Sequence, residues 1–333
     1  MTTETLTLAE IETLAFEALT RAGASRAQAQ PLARATAETE ADGVASHGLA
    51  YIPVYCEHLR CGKVRGDAVP EVTRPRPGLV VADAGQGFAH AAIAAGFAEA
   101  IPAARTQGVA ALAVRESYNC GVLGVHTRAL AEAGLVGLGF TNAPASIAPA
   151  GGARPVVGTN PVSLAAPDGA GGVALLIDQS ASVIAKSEIM AHAREGRAIP
   201  EGWALGPDGA ATTDPERALA GSMAPAGGYK GAGLALLVEV MAAALTGATL
   251  GRDASPFSGP KGGPPRTGQC FVALDPAASS GGAYAARIAA LTEAIRAEPG
   301  ARLPGDGRAA ARARAQREGV AVRAATLERI RAL

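Results

Sequence analysis

The chain has 333 residues, 48% of them hydrophobic, with 42 Gly and 22 Pro. That is enough for a full core and more than one domain, and it excludes low-complexity disorder. Thirty basic residues balance thirty acidic ones, and only 6 Phe, 5 Tyr and 1 Trp are present, so neither a basic nor a base-stacking nucleic-acid surface is expected.

The first ten residues are polar and lack the basic and apolar regions of a secretory signal. Thr7 and Glu10 form a capping box, and Leu8, Ile11, Leu14, Ala15 and Leu19 share one face of the helix it opens. Gly23 ends that helix. Ser25 and Gln28 make a second capping box for a helix reaching about Asp42 and stopping at Gly43. A third helix is predicted from Leu49 to Leu59, with Pro53 in its first turn. Ser46-His47-Gly48 falls at the break between helices. Residues 62–80, rich in Pro and charge, read as a connection. An alternation follows: strand 79–82, helix 89–106, strand 109–114, helix 121–133, strand 135–141, then a Pro- and Gly-rich loop over 143–160 and a strand at 173–178. This pattern predicts α/β architecture. Gly231 to Thr246 reads as a buried apolar helix, with Glu239 arguing against a membrane span. Gln269 to Leu274 is a late strand, and the arginine-rich end of the chain reads as a solvated helical tail.

Cys56, Cys61, Cys120 and Cys270 contain no C-x-x-C pair, so no zinc site or other metal centre is expected, and the simplest reading is a reduced, cytoplasmic protein. No G-x-G-x-x-G turn and no P-loop is present. Ser117–Gly121, Gly151–Asn160 and Gly227–Gly231 are glycine-flanked turns where free amides could meet phosphate. Of the five histidines, His47 stands out. It lies between Ser46, whose hydroxyl could orient the ring, and Gly48, which leaves room for a substrate. Such a histidine suits proton donation near neutral pH.

These motifs resemble the malate/L-lactate dehydrogenase family with a non-Rossmann NAD(P) fold. The resemblance rests on Ala45-Ser46-His47-Gly48-Leu49, Asp83 to Gly87, Ser117 to Gly121, Ala148 to Gly152, Gly158-Thr159-Asn160-Pro161 and Ile177-Asp178-Gln179-Ser180. It continues through Ile199 to Trp203, Thr212 to Pro215, Gly227 to Gly231 and Leu303-Pro304-Gly305. It implies a helical N-terminal region (1–75) packed with a C-terminal part (230–333), and a sheet-containing NAD(P)-binding domain over 76–229. It also implies a homodimer with its active site near the subunit interface. His47 is implied as proton donor with Ser46 in relay, and Tyr51 and Thr159 as substrate contacts. Ser117, Tyr118, Asn119, Cys120, Gly121, Asp178, Gln179, Ser180, Gly228, Tyr229, Lys230, Arg302, Gly305 and Arg308 are implied as cofactor contacts.

Three departures from the family pattern bear on the substrate. Tyr51 stands where an arginine is common, and a phenol cannot bind a carboxylate bidentately. Asn119 stands where a histidine is frequent. Glu188 falls where the imine reductases carry a relay aspartate, which suggests a Ser46–His47–Glu188 relay. The resulting expectation is an NADPH-dependent reductase of a cyclic imine C=N bond, with NADH as the alternative cofactor. Arginines near the chain end are candidates for a 2′-phosphate. The alternatives are a 2-hydroxyacid dehydrogenase of the malate, lactate or sulfolactate kind, and a retired enzyme acting as a binding protein.

Overall fold

A computed structural model describes residues 2–333. In chain order the elements are β1 (Thr3–Leu6), α1 (Leu8–Arg21), α2 (Arg26–Ala41), α3 (Ile52–Arg60), β2 (Glu71–Arg76), β3 (Leu79–Asp83), α4 (Ala89–Gln107), β4 (Val109–Ser117), α5 (Leu123–Glu132) and β5 (Val136–Thr141). Then come β6 (Val162–Pro167), β7 (Val173–Gln179), α6 (Lys186–Glu195), β8 (Ala204–Leu205), β9 (Ala211–Thr212), α7 (Pro215–Ala220), β10 (Ser222–Met223) and α8 (Tyr229–Glu239). The chain closes with β11 (Thr267–Leu274), α9 (Pro276–Ser280), α10 (Tyr284–Ala297), α11 (Asp306–Glu318), β12 (Val320–Arg323) and α12 (Ala324–Arg331).

The capping box before α1 forms as its sequence predicts, with Glu10 and Thr7 bonded reciprocally. The second is only half made. Ser25 accepts from the Gln28 amide, but the Gln28 side chain is buried and spans two other segments. Its amide donates to the Ala68 carbonyl and its oxygen accepts from the Phe88 N–H. A buried backbone pair without another partner outweighs a helix cap that water can replace.

The seven-stranded sheet has the order β2-β3-β4-β11-β5-β6-β7. Only β3 and β4 pair in parallel, joined through α4; every other neighbouring pair is antiparallel. This is an α/β sheet without Rossmann topology. It takes β2 and the central β11 from outside 76–229, so the sheet is not confined to the segment that the resemblance suggests. α4 covers one face, where Ile93 and Phe97 meet Leu112 and Phe271.

The first helices form a second core, shared with the end of the chain. Ile11, Leu19, Leu32, Leu49, Ile52 and Tyr55 pack with Val322, Leu327 and Ile330. β1 and β12 pair antiparallel from Thr3↔Arg323 to Leu6↔Val320. The end of the chain is therefore not a free solvated tail. Two four-residue strands carry little local signal and exist only because each finds the other.

The apolar helix at 231–246 is present but not fully buried as its composition suggests. α8 runs on into a π-helical stretch, Val240–Ala244. Ala235, Val238 and Ala242 are buried, while Leu236, Leu237, Val240 and Leu245 are exposed. Among the described residues no helix is long and apolar enough to cross a membrane.

Candidate active site

The Ser46-His47-Gly48 segment is held as two successive 3-10 turns, Ala45–His47 and Leu49–Tyr51. Its anchor is Glu40, a buried carboxylate on α2 that accepts from the Leu49 N–H at 2.7 Å. A Cβ at Gly48 would fall on that carboxylate, so glycine is needed there for close approach. Burial raises the Glu40 pKa, and the Leu49 hydrogen bond opposes it. No sequence signal distinguished Glu40 from the solvated polar face of a helix.

Ser46 Oγ lies 3.0 Å from His47 Nδ1, which leaves Nε2 as the free ring nitrogen. His47 keeps a solvent-facing edge. Neighbouring groups still strip enough water to lower its pKa below the ordinary histidine value, while the Asp178 charge pulls it upward. Glu188 does not join this pair. It stands exposed in the first turn of α6, and no hydrogen bond links it to Ser46 or His47. The acidic charge acting on the ring belongs to Asp178.

Tyr51 lies parallel to His47, with ring centroids 6.0 Å apart and planes at 5°. Its hydroxyl donates to the Phe257 carbonyl at 3.2 Å. Tyr55 packs edge-on against Tyr51, and its hydroxyl donates to Asn119 Oδ1. The segment over this wall is tied down by Lys63. That side chain is fully buried, and its ammonium donates to the Pro256, Ser258 and Gly259 carbonyls. His58 adds a further tie. Its Nε2 faces the Gly259 carbonyl and so must carry the proton, which makes Nδ1 the acceptor for Tyr118. Lys63 and His58 gave no motif signal.

The Ser117–Gly121 turn turns most of its side chains inward. Ser117 Oγ is committed to the Thr267 carbonyl and Gln269 Oε1 of β11. Tyr118 is buried against His58. Cys120 is buried, with its thiol pushed up to about 12 by loss of water, and its carbonyl accepts from His126 Nε2. Only Asn119 and Gly121 keep partial exposure. Side-chain contact with a cofactor is thus closed to Ser117, Tyr118 and Cys120.

Asp178 Oδ2 accepts from the Gly124 N–H and from Arg308, at 3.1 and 2.7 Å. The two residues expected to face a cofactor are therefore paired with each other. Gln179, Ser180 and Lys230 line a cleft of about 490 Å³ together with Ser182, Ile184 and Ala226. Its rim is the N-terminus of the eleven-residue α8. Gly228 caps it at φ +65°, a conformation that favours glycine. Tyr229 and Lys230 are exposed there. Thr159 is half-buried, and its carbonyl accepts from the Ala181 N–H. Arg302 is exposed. Gly305 lines a separate cleft of about 210 Å³ with Asp42, Arg128 and Arg312.

The sequence of the malate/L-lactate dehydrogenase family matches residues 6–331. The chain is 44% identical to the (2R)-3-sulfolactate dehydrogenase (NADP(+)) of Chromohalobacter salexigens, over 98% of this chain and 97% of that one. It is 40% identical to the Δ1-pyrroline-2-carboxylate reductase of Ancylobacter novellus, again over 98% and 97%. The crystal structure of Δ1-piperideine-2-carboxylate reductase from Pseudomonas syringae pv. tomato superposes with a TM-score of 0.93, at 35% identity and covering 99% of both chains. By sequence and by fold, the chain belongs to the malate/L-lactate dehydrogenase family.

Proposed function

We propose that this chain is an NADPH-dependent reductase of the C=N bond of a cyclic imino acid, with His47 as the proton donor. The observation that carries this reading is the Ser46–His47 pair, whose free Nε2 belongs to a ring with a lowered pKa and an acidic neighbour in Asp178. The relatives named as Δ1-pyrroline-2-carboxylate reductases, and the structural likeness to a Δ1-piperideine-2-carboxylate reductase, support the substrate class. A second reading, oxidation of a 2-hydroxyacid such as (2R)-3-sulfolactate, is favoured by the 44% identical relative of that name.

The residues present fit a dinucleotide. The α8 N-terminus offers unpaired amides and Lys230 beside a cleft, a suitable cradle for a pyrophosphate. When bound, NADPH would supply the hydride. His47 would hold the proton at Nε2 for the substrate nitrogen, and Ser46 would keep the ring oriented through Nδ1. We assign the acidic charge that acts on His47 to Asp178, which reaches the ring through space while its carboxylate is held by the Gly124 N–H and Arg308; Glu188 faces solvent without a tie to the histidine. Arg308 is a cofactor candidate that must first leave, or share, Asp178.

We also propose a homodimer. Tyr229, Leu236, Leu237, Val240 and Leu245 form an exposed apolar run along α8 and its continuation, and such a run on a monomer marks an interface. Four unpaired thiols fit a reducing, cytoplasmic setting.

Absorbance of NADPH with Δ1-pyrroline-2-carboxylate, set beside NADP+ with (2R)-3-sulfolactate, separates the two readings. His47→Ala should lower kcat by about a hundredfold, with cofactor affinity unchanged. Turnover near that of the wild type would remove His47 from the mechanism.

A further inference from the structure

Asn119 sits half-buried on the Ser117–Gly121 turn. Its Oδ1 accepts two hydrogen bonds, from the Tyr55 hydroxyl and from the Gly121 N–H, each at 3.1 Å. A backbone N–H can only donate, so the amide atom facing Gly121 is the oxygen and Nδ2 points the other way. The lock is firm. Tyr55 is buried, with its ring held edge-on by Phe88 and Tyr118.

Nδ2 has no protein acceptor at hydrogen-bond distance among the described residues, and it is not one of the sealed, unpartnered atoms. The Tyr51 phenol lies near the same amide, and the Tyr51 ring runs parallel to His47. The amide therefore belongs to the wall that carries the proposed proton donor. A carboxylate can only accept hydrogen bonds, so the group that reads it must have protons to give. Tyr51 gives its single proton to the Phe257 carbonyl, and Tyr55 gives its own to Asn119. The Nδ2 group carries two protons and the Tyr51 oxygen can take only one of them, so of these three side chains Asn119 alone keeps a donor to spare.

We propose that Asn119 binds the carboxylate borne by the reacting carbon of the substrate, and that Tyr55 is the positioning residue that holds its amide in the donating orientation. This rests on the reading above. It applies equally to a cyclic imino acid and to a 2-hydroxyacid, because both carry that carboxylate. The carboxylate keeps its charge through hydride transfer, so a contact to it stabilises ground state and transition state alike and acts chiefly on KM.

The test uses Asn119→Leu, Asn119→Asp and Tyr55→Phe in the full-length protein. KM and kcat are read with NADPH and Δ1-pyrroline-2-carboxylate, and with NADP+ and (2R)-3-sulfolactate. NADPH affinity is read by its fluorescence. On whichever substrate the wild type turns over, Asn119→Leu should raise KM about tenfold, with kcat and NADPH affinity within about twofold. Asn119→Asp should raise KM further, since carboxylate then faces carboxylate. Tyr55→Phe should raise KM about threefold with kcat kept, because the freed amide can turn its oxygen toward the substrate. An unchanged KM in Asn119→Leu and Asn119→Asp overturns the proposal. So does a loss of NADPH affinity without a change in KM, which would give the amide to the cofactor. Should one variant fail to fold, the others decide.

If the wild type turns over neither substrate, the proposed function fails. Asn119 is then judged by calorimetric titration of L-proline, the product of pyrroline-2-carboxylate reduction, and of (2R)-3-sulfolactate into NADP+-loaded protein. The same ranking of variants in Kd upholds the role. Equal Kd values, or no binding of either carboxylate to the wild type, overturn it.

Discussion

His47 holds its proton between two opposed influences, loss of water lowering its pKa and the charge of Asp178 raising it. Imine reduction needs the protonated ring. As pH rises through a histidine pKa that lies below the ordinary value, kcat/KM for reduction should therefore fall. Asp178→Asn removes the opposing charge while keeping an acceptor for the Gly124 N–H. The falling limb should then move to lower pH in a pH–rate profile of the variant. A limb that stays in place would show that another group sets the proton affinity of His47. Ser46 and His47 were legible in the sequence because they are adjacent, and one short hydrogen bond joins them. Glu188 was picked out by the same kind of local evidence. Its alignment with a motif fixed its position along the chain, but the start of α6 turns its side chain to solvent.

Asp42, just past the end of α2, ties three elements together. Its nearly inaccessible carboxylate binds Arg128 of α5 at 2.6 Å and Arg312 of α11 at 2.7 Å, and Glu38 completes the network. Two arginines packed around one buried carboxylate are tolerable only while that carboxylate is present. Asp42→Ala should destabilise the protein by about 3–5 kcal/mol, as expected when a buried ion pair loses one partner. Urea denaturation would measure this, with the exposed Arg314→Ala as control. A loss no larger than the control's would mean that the network does not hold α2, α5 and α11 together. These contacts were not readable beforehand. Asp42 looked like the end of a helix, and the arginines looked like a solvated run. Their pairing depends on bringing residues 42, 128 and 312 to one place. α1 was legible, by contrast, since its cap and apolar face lie within a few turns of chain.

The exposed run on α8 and its continuation is the whole-molecule counterpart of these pairings. A helix apolar on every side is expected to be covered on every side, and this chain covers only one. The proposed dimer predicts that Leu237→Arg or Val240→Glu makes the protein sediment as a monomer in sedimentation velocity, because a charge placed in an apolar interface must be desolvated. A wild type that sediments as a monomer would count against the dimer, and a variant that stays dimeric would exclude this face as its interface. The cleft beside Lys230 lies along the same helix. Loss of the dimer is therefore expected to weaken NADPH binding as well.

Local signals carried the class of the fold and the identity of the family. Caps, helical faces and short apolar strands act over a few residues, and motifs such as Ser46-His47-Gly48 and Gly227 to Gly231 keep their order along the chain whatever the packing. The antiparallel insertion of β11 between β4 and β5, and the closure of β1 on β12, could not be read in this way. Those pairings set distant backbones side by side, and several partners would satisfy the same alternation of side chains. The wall around His47 shows the same division. The adjacent Ser46–His47 pair could be read from the sequence, but the Glu40 anchor, the Lys63 staple and the Tyr55–Asn119 lock could not. Each is a polar group whose meaning comes from the acceptor or donor it meets across the fold, and burial is what makes that partner obligatory.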